Sequence, residues 1–168
     1  MSITFLRHAP LPLKYQKRYI GRSDIDIDKS LFDFDKVKEL IACDYDLVFA
    51  SSLKRTGQTL EMMGKEYIVD SRLDEVEFRD EIEGKNFEEI EKLDSFKSEY
   101  LDSFESWFEF TCKEPLYKFR ERIESFIKEL PKNKEILICT HGGVLRELFN
   151  REFSYLEIFK CESGNILS

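Results

Sequence analysis

Both histidines of this chain stand where a short apolar segment ends, next to residues that can bind an anion. His8 follows residues 3–6 and is preceded by Arg7, whereas His141 comes just after residues 135–139 and is followed by two glycines. Arginine holds phosphate through paired N–H bonds, and a glycine-containing helix start offers backbone N–H groups to an anion. An imidazole can attack phosphorus and retain the phosphoryl group covalently. The combination indicates phosphoryl transfer through a phosphohistidine.

A further arginine and a group of carboxylates follow two other apolar segments. Arg55 comes soon after residues 47–50, and an acidic segment that begins at Asp74 and Glu75 comes after residues 67–69. A carboxylic acid beside the scissile bond protonates the departing alkoxide, which otherwise leaves poorly. Each of these residues alone has an ordinary structural explanation, such as a solvated surface, but packing gives no reason to place all of them after apolar segments.

The four apolar segments have the length and composition of strands buried on both faces, as in a parallel sheet that helices cover on two sides. Apolar residues recur every three or four positions over residues 34–41 and 116–130, which predicts two helices. Strands that alternate with helices predict an α/β fold. Because ligands of such sheets bind beyond the carboxyl ends of the strands, we expect the histidines, arginines and carboxylates to meet at one edge.

The composition limits the class of protein. A chain of 168 residues with 42% hydrophobic residues is large enough for one folded domain, which we assign to residues 1–168. The net charge of −8 argues against a nucleic-acid partner, because phosphate-backbone affinity needs a basic face. Residues 1–22 nevertheless contain five basic and no acidic residues, which fits either a solvated loop or an anion site.

The cysteines and the apolar segments bear on the compartment. The four cysteines are widely separated and form no zinc-binding pattern, which is typical of reduced thiols in a cytoplasmic protein. No apolar run approaches transmembrane length, and Arg7 and His8 interrupt the stretch that a signal peptide would need. The sequence therefore predicts a cytoplasmic protein without a membrane partner.

Residues 86–115 interrupt the alternation of strands and helices. Aromatic residues recur there at helical spacing between acidic residues, at Phe96, Tyr100, Phe104, Trp107 and Phe108. The pattern predicts a helix whose aromatic face packs on the body of the domain. A surface that stacks on a cofactor is a weaker alternative. A lid over a cleft is another, because long excursions in α/β domains often border the site.

These motifs resemble those of the histidine phosphatase superfamily, the phosphoglycerate mutase-like enzymes. The Arg-His-Gly motif of that family reads Leu-Arg-His-Ala at residues 6–9, and its SxLxRAxQT motif reads SSLKRTGQT at residues 51–59. Its glutamate-containing segment resembles residues 75–84, and its SHGGVxR motif reads THGGVLR at residues 140–146. Residues 19–24, YIGRSD, are also similar to a segment of the α-ribazole phosphatase branch.

The resemblance implies a phosphoglycerate mutase-like fold, a three-layer α/β sandwich with a mostly parallel central sheet flanked by helices. It also implies that His8 is the nucleophile that becomes phosphorylated and that Glu75 is the proton donor. By the resemblance, the phosphoryl oxygens would be held by Arg7, Arg55 and His141. The glycine-containing helix start adds Gly142 as a backbone donor. No cofactor and no metal ion are implied.

The first loop departs from the family pattern. Ala9 replaces the usual glycine, and Leu11 and Tyr15 stand where many members have a hydroxyl group and an asparagine. That part of the phosphate pocket must then be built in another way. Gln16 or Arg22 would supply the missing donors.

The acidic segment departs as well, so the proton donor has alternatives. Arg79 occupies a position that is glycine in the family, and the pair Glu83-Gly84 comes one residue late. Glu77 and Glu83 therefore remain open beside the preferred Glu75.

The function that we expect is hydrolysis of a small phosphorylated metabolite, a phosphate monoester, by a metal-independent histidine phosphatase. Dephosphorylation of protein phosphohistidine is one alternative, and a non-catalytic phosphate-binding module of the same fold is another. A mutase is less favoured, because it must shield its phosphoenzyme from water. Metal binding by the two histidines is disfavoured, because the arginines would repel a cation.

Overall fold

The computed structural model describes residues 2–162, and a five-stranded sheet forms its centre. The strands are β1 (Ser2–Arg7), β2 (Leu47–Ala50), β3 (Ile68–Val69), β4 (Ile136–Thr140) and β5 (Ile158–Glu162). Their order across the sheet is β3-β2-β4-β1-β5. The first four strands are parallel, and β5 pairs antiparallel with β1. The predicted α/β fold with a mostly parallel sheet is confirmed.

Six α-helices and four short 3-10 helices are found among residues 2–162. The α-helices are α1 (Phe34–Ala42), α2 (Lys54–Met62), α3 (Phe87–Ile90), α4 (Phe104–Thr111), α5 (Leu116–Glu129) and α6 (Gly142–Phe149). The 3-10 helices are Leu13–Tyr15, Lys29–Leu31, Ser71–Leu73 and Ser98–Leu101. Within this part of the chain, no helix has the length and apolar character needed to cross a membrane.

Side chains of the central strands alternate between two buried layers. Ile3 and Phe5 of β1 belong to a core that includes residues of α4, α5 and α6. Leu6 of the same strand belongs to the opposite core, which includes residues of α1 and α2. Helices therefore cover both faces of the sheet, which explains why its central strands read as continuous apolar runs.

Two strands differ from the sequence-based expectation. We predicted a buried strand at residues 67–69, but β3 lies at the sheet edge, and its Ile68 and Val69 are 51% and 56% exposed. β5 was not predicted, because it alternates half-buried apolar residues with Lys160 and Glu162 and so lacks a continuous apolar run. Edge strands need less apolar surface than central ones, so both departures have the same physical origin.

The prediction of one helix for the aromatic stripe of residues 86–115 is wrong. The segment forms α3, the 3-10 helix Ser98–Leu101 and α4, with the chain turning between them. Oγ of Ser103 accepts a hydrogen bond from the amide of Ser106 at 3.0 Å, which starts α4 as a separate helix. Part of the aromatic surface does pack on the body of the domain, since Phe108 contacts Phe119 of α5 with ring centroids 5.5 Å apart.

Candidate functional site

The pairing of β1 with β4 places the two histidines beside each other. Arg7 pairs with Thr140, the last residue of β4, so His8 and His141 leave the sheet at the same level. Their ring centroids are 5.2 Å apart, and both side chains are buried. β2 pairs with β4 on its other side, and the helix that follows β2 carries Arg55 in its first turn. One edge of the sheet thus brings together four of the predicted site residues.

The ring of His8 is held in one tautomer. Nδ1 lies 2.8 Å from the carbonyl oxygen of Ala9, which can only accept a hydrogen bond, so Nδ1 carries the proton. The amide of Ala9 donates to Oγ1 of Thr59 at 2.8 Å, which fixes this peptide in turn. Nε2 of His8 therefore carries the lone pair, and the residue lines a cavity at the sheet edge.

His8 is neutral near pH 7. Burial lowers the pKa of its imidazole well below the ordinary value of 6.5, and the positive charges of Arg55 and Arg7 lower this pKa further. A neutral imidazole keeps its lone pair available for attack, whereas an imidazolium has none. The two arginines that attract an anionic substrate therefore also keep this ring in its nucleophilic form.

Arg55 is almost completely buried, with 1% of its surface exposed, and its guanidinium is fixed by three hydrogen bonds. Nε donates to Nδ1 of His141 at 3.1 Å, Nη1 to the carbonyl oxygen of Ser23 at 2.9 Å and Nη2 to that of Gly21 at 2.7 Å. Each terminal nitrogen has a second hydrogen, so one N–H of Nη1 and one of Nη2 remain for a ligand. Such a pair suits two oxygens of a phosphate.

Arg7 approaches the same cavity from the end of β1. Its Nη1 donates to the carbonyl oxygen of Phe153, and the ring of Tyr155 lies 4.2 Å from its Cζ. Nε of Arg7 is buried and has no hydrogen-bond partner within residues 2–162. A buried N–H group without a partner is unfavourable, and an anion in the cavity can relieve that cost.

Glu75 also lines this cavity, and both of its carboxylate oxygens are anchored. Oε1 accepts a hydrogen bond from the amide of Val76 and Oε2 one from the amide of Gly143, each at 3.0 Å. The residue Glu75 is 8% exposed and lines the cavity. Its carboxylate therefore faces the cavity rather than bulk solvent. A carboxyl group held in this way has the fixed position that a general acid needs.

The two alternative carboxylates lie elsewhere. Glu77 is half-exposed, and its Oε1 lies 3.4 Å from Nζ of Lys113. The two carboxylate oxygens of Glu83 accept hydrogen bonds from the amide of Gly21 at 3.0 and 3.1 Å. Glu83 thereby stabilises Gly21, whose carbonyl oxygen accepts a hydrogen bond from Nη2 of Arg55. Neither Glu77 nor Glu83 lines the cavity, so the geometry favours Glu75 among the three.

His141 has both ring nitrogens engaged by the protein. Nδ1 accepts the hydrogen bond from Nε of Arg55, so Nε2 carries the proton and donates to Oγ of Ser51 at 2.7 Å. Burial lowers the pKa of His141 well below 6.5, with further lowering by the charge of Arg55 and by His8. Direct contact of His141 with phosphoryl oxygens stays a prediction, and the observed geometry makes it a neutral support for Arg55.

Gln16 and Arg22 do not line the cavity. Nε2 of Gln16 donates to the carbonyl oxygen of Leu11 at 2.8 Å. Nη1 of Arg22 donates to Oδ2 of the buried Asp74 at 2.6 Å. Both side chains therefore stabilise the loops around the site, and the structure does not place them where they would contact a phosphate.

The cavity has a volume of about 220 Å³ and an excess of positive charge. Its charged lining residues are Arg7, Arg18, Arg55, Arg146, Glu75 and Glu152. Gly142 also lines it, at the start of α6, and the N-terminus of a helix favours an anion. Within residues 2–162 no three His, Cys, Asp or Glu side chains come close enough together to hold a metal ion. The arrangement is suited to binding a phosphate dianion beside a nucleophilic imidazole.

Several residues of the lining were not assigned to a site from the sequence, among them Arg18, Arg146 and Tyr155. Arg18 lay within the basic window and Arg146 within the motif THGGVLR, but neither had been given a role. Tyr155 lies between α6 and β5, and its ring centroid is 5.5 Å from that of His8. Because β5 itself was not predicted, nothing in the sequence pattern indicated that this segment returns to the site.

Comparisons with known proteins identify relatives of this chain. The family model described as "Histidine phosphatase superfamily (branch 1)" matches residues 3–155. A curated relative, fructose-2,6-bisphosphatase of Saccharomyces cerevisiae, is 33% identical over 104 residues, which cover 61% of this chain. The match spans only 22% of the length of that yeast protein.

Solved structures share the fold at lower sequence identity. A phosphoglycerate mutase from Thermus thermophilus superposes with a TM-score of 0.71 at 20% identity, covering 95% of this chain and 92% of that one. The product of an open reading frame of Mycobacterium tuberculosis superposes with a TM-score of 0.74 at 18% identity, covering 95% and 90% of the two chains. At such identities the likeness establishes the fold alone.

Proposed function

This chain belongs to the histidine phosphatase superfamily (branch 1), and from that premise we propose that it hydrolyses a small phosphate monoester through a phosphohistidine at His8. The observation that carries the proposal is the state of the His8 ring. Its Nδ1 is anchored on the carbonyl oxygen of Ala9, and the ring is neutral, so Nε2 can act as a nucleophile in a cavity lined by arginines. Residues placed for packing alone have no need of this arrangement.

The first step transfers the phosphoryl group to the enzyme. The free N–H groups of Arg55 and Nε of Arg7 bind the phosphoryl oxygens, and Nε2 of His8 attacks phosphorus with its lone pair. The bond between phosphorus and the ester oxygen breaks, and that oxygen takes the proton of Glu75 in its acid form. The products are an alcohol, a phosphohistidine and a Glu75 carboxylate.

The second step returns the enzyme to its starting state. A water molecule loses a proton to the Glu75 carboxylate and attacks phosphorus, and the P–N bond to His8 breaks. Inorganic phosphate leaves, Nε2 regains its lone pair, and Glu75 is again protonated. The same carboxyl group serves as acid and then as base, because both protons move at the same position.

Metal independence is part of the proposal. The charge that develops on the phosphoryl oxygens is balanced by Arg7 and Arg55, which are fixed before substrate arrives. Arginine remains protonated throughout the working pH range, so no metal ion is needed to supply this charge. The cytoplasm is the compartment that we propose, because Cys112 and Cys139 are buried free thiols, as in a reducing environment.

The decisive experiment follows phosphate release from 4-nitrophenyl phosphate and from a simple alkyl phosphate, with excess EDTA present. We expect inorganic phosphate and free alcohol in equal amounts, with the rate unchanged by the chelator. The matched control is His8→Ala, which should lose activity by about three orders of magnitude or more. Activity that vanishes with EDTA and returns with a divalent ion would contradict the mechanism. Transfer of phosphate to an added acceptor without phosphate release would instead identify a mutase.

A further inference from the structure

A second cavity, of about 90 Å³, lies beside the phosphate cavity and is lined mainly by aromatic and aliphatic side chains, among them Phe78, Phe104, Trp107, Phe108 and Phe119. We propose that it binds a compact apolar group of three to four carbon atoms on the alcohol portion of the substrate. The inference rests on the proposed function, since it names the class of ester that this site hydrolyses: short alkyl or branched alkyl phosphates.

The two cavities are adjacent, and we infer that they open into each other. Both are lined by Tyr19, Val76, Phe78, Gly143 and Arg146. A molecule whose phosphoryl group lies against His8 can therefore extend into the apolar cavity along these shared residues. The cavity formed by α4 is thus an extension of the site rather than an isolated packing defect.

The position of Glu75 determines which part of the substrate enters. Its proton must reach the ester oxygen, so that oxygen lies next to the carboxylate during the first step. The carboxylate accepts hydrogen bonds from the amides of Val76 and Gly143, and these two residues line both cavities. The carbon attached to the ester oxygen therefore lies at the entrance of the apolar cavity.

Three of the polar side chains that line the apolar cavity, Thr111, Cys112 and Arg146, already have a partner or carry no charge. Oγ1 of Thr111 donates to the carbonyl oxygen of Trp107 at 2.8 Å. Burial raises the pKa of Cys112 to about 12, so its thiol is uncharged. Arg146 lies over the ring of Phe104 at 5.1 Å and pairs with Glu152 at 2.9 Å. A hydroxylated alcohol, such as glycerol or a sugar, would find few free partners here.

The volume limits the size of the group. A water molecule occupies roughly 30 Å³ of liquid, and a cavity of roughly 150 Å³ is known to hold benzene. A cavity of about 90 Å³ therefore has room for three to four methylene-sized groups and is small for a benzene ring. The preferred ester is then a propyl to butyl phosphate or a branched equivalent, before any adjustment of the aromatic walls.

Binding of n-alkylphosphonates tests this without turnover, because their P–C bond is not hydrolysed and the first carbon replaces the ester oxygen. Calorimetric titration with the methyl to hexyl series should show affinity rising about fourfold per added methylene, up to butyl or pentyl, and then levelling. A flat series, or tighter binding of a hydroxylated phosphonate than of its alkyl counterpart, would overturn the inference.

Two variants locate the effect. Phe104→Trp narrows the cavity and should end the rise in affinity one or two carbons earlier, whereas Phe104→Ala should extend it. The control is Tyr117→Trp on α5, because Tyr117 is exposed and lines neither cavity. An unchanged chain-length profile in both folded Phe104 variants would contradict the assignment.

Hydrolysis of the matching esters separates this inference from the proposed function. If phosphonate affinity depends on chain length but butyl phosphate releases no phosphate, the apolar subsite is supported and the phosphatase activity is rejected. Release of phosphate with a flat binding series would reject the subsite and leave the phosphatase standing. Absence of both phosphonate binding and phosphate release would reject both.

Discussion

The amide of Gly143 donates to Oε2 of Glu75 at 3.0 Å, and a Cβ atom at position 143 would come within 2.2 Å of Oε1 of the same carboxylate. Only glycine therefore permits the amide and the carboxylate to meet in this way. We expect Gly143→Ala to displace Glu75 and to slow alkyl phosphate hydrolysis by about a hundredfold, the loss expected for a misplacement of roughly 1 Å. Nitrophenyl phosphate, which expels a stable phenolate, should lose far less.

Gly142→Ala is the comparison for that variant. A Cβ atom at position 142 would lie 3.3 Å from Cζ of Arg7, and its three nearest neighbours all belong to Arg7 rather than to Glu75. It should therefore raise KM for aryl and alkyl esters alike. If Gly142→Ala and Gly143→Ala gave the same pattern on the two esters, the role of Gly143 in holding Glu75 would be rejected.

Glu75→Gln should distinguish substrates by their leaving groups. The amide has no acidic proton to give, so alkyl phosphate hydrolysis should fall by roughly 10²- to 10⁴-fold, whereas nitrophenyl phosphate should lose less than about tenfold. Steady-state rates on both esters provide the measurement, with Glu77→Gln as the half-exposed control. An equal loss of hydrolysis rate on the two esters would contradict the assignment of Glu75 as the general acid.

The two histidines should differ in a trapping experiment. Rapid quenching with labelled substrate, without acid, should give a phosphohistidine that is labile to acid and stable to base, on the peptide that contains His8. His8→Ala should abolish the label. His141→Ala should leave it in place and slow its formation by about 10- to 1,000-fold, because Arg55 loses the partner of its Nε. Label on His141 would reverse the two roles.

Stability should depend on pH through the buried histidines. Both have a pKa well below 6.5 in the folded protein, so below about pH 6.5 the unfolded chain binds protons that the folded chain does not. The free energy of unfolding is therefore highest above that pH. It should fall as the pH drops toward the lowered pKa, by up to about 1.4 kcal/mol per pH unit for each histidine.

Urea titrations at several pH values between 7.5 and 5.5 measure this dependence. Carboxylates add to the total slope, so the informative quantity is the difference between the natural protein and His8→Gln. That variant should lose the contribution of one histidine from the slope. Parallel pH profiles for the two proteins would contradict the assignment of His8 as neutral in the folded state.

The parts of the fold that could be predicted are those determined by local sequence pattern. β1, β2 and β4 are central strands, and burial on both faces gives them apolar runs that identify them. The segment of residues 86–115 could not be predicted in this way. Its helical spacing is real, but Tyr100 stacks on Phe110 with ring centroids 4.3 Å apart, and this contact requires the chain to turn back between them. Tertiary contact overrides the periodicity there.

The site shows the same division. His8, Arg55 and His141 could be placed because the end of a parallel strand is a topological position that the sequence reveals. Arg22 could not be placed, because its guanidinium pairs with Asp74, 52 positions away, and does not line the cavity. Ion pairs between residues distant in the sequence decide which basic side chains near the site can contact a ligand. The local sequence pattern does not show these ion pairs.

The sheet order has a consequence for how the protein is synthesised. β1 leaves the ribosome before either of its neighbours, because it pairs with β4 and β5, and the side chain of Arg7 donates to a carbonyl oxygen 146 positions later. Synthesis adds roughly 5–20 residues per second, so β1 remains unpaired for about 7 to 30 s before its partner strands are made. During that interval the nascent chain already carries its nucleophile but has no anion pocket, and we expect chaperones to protect the exposed strand.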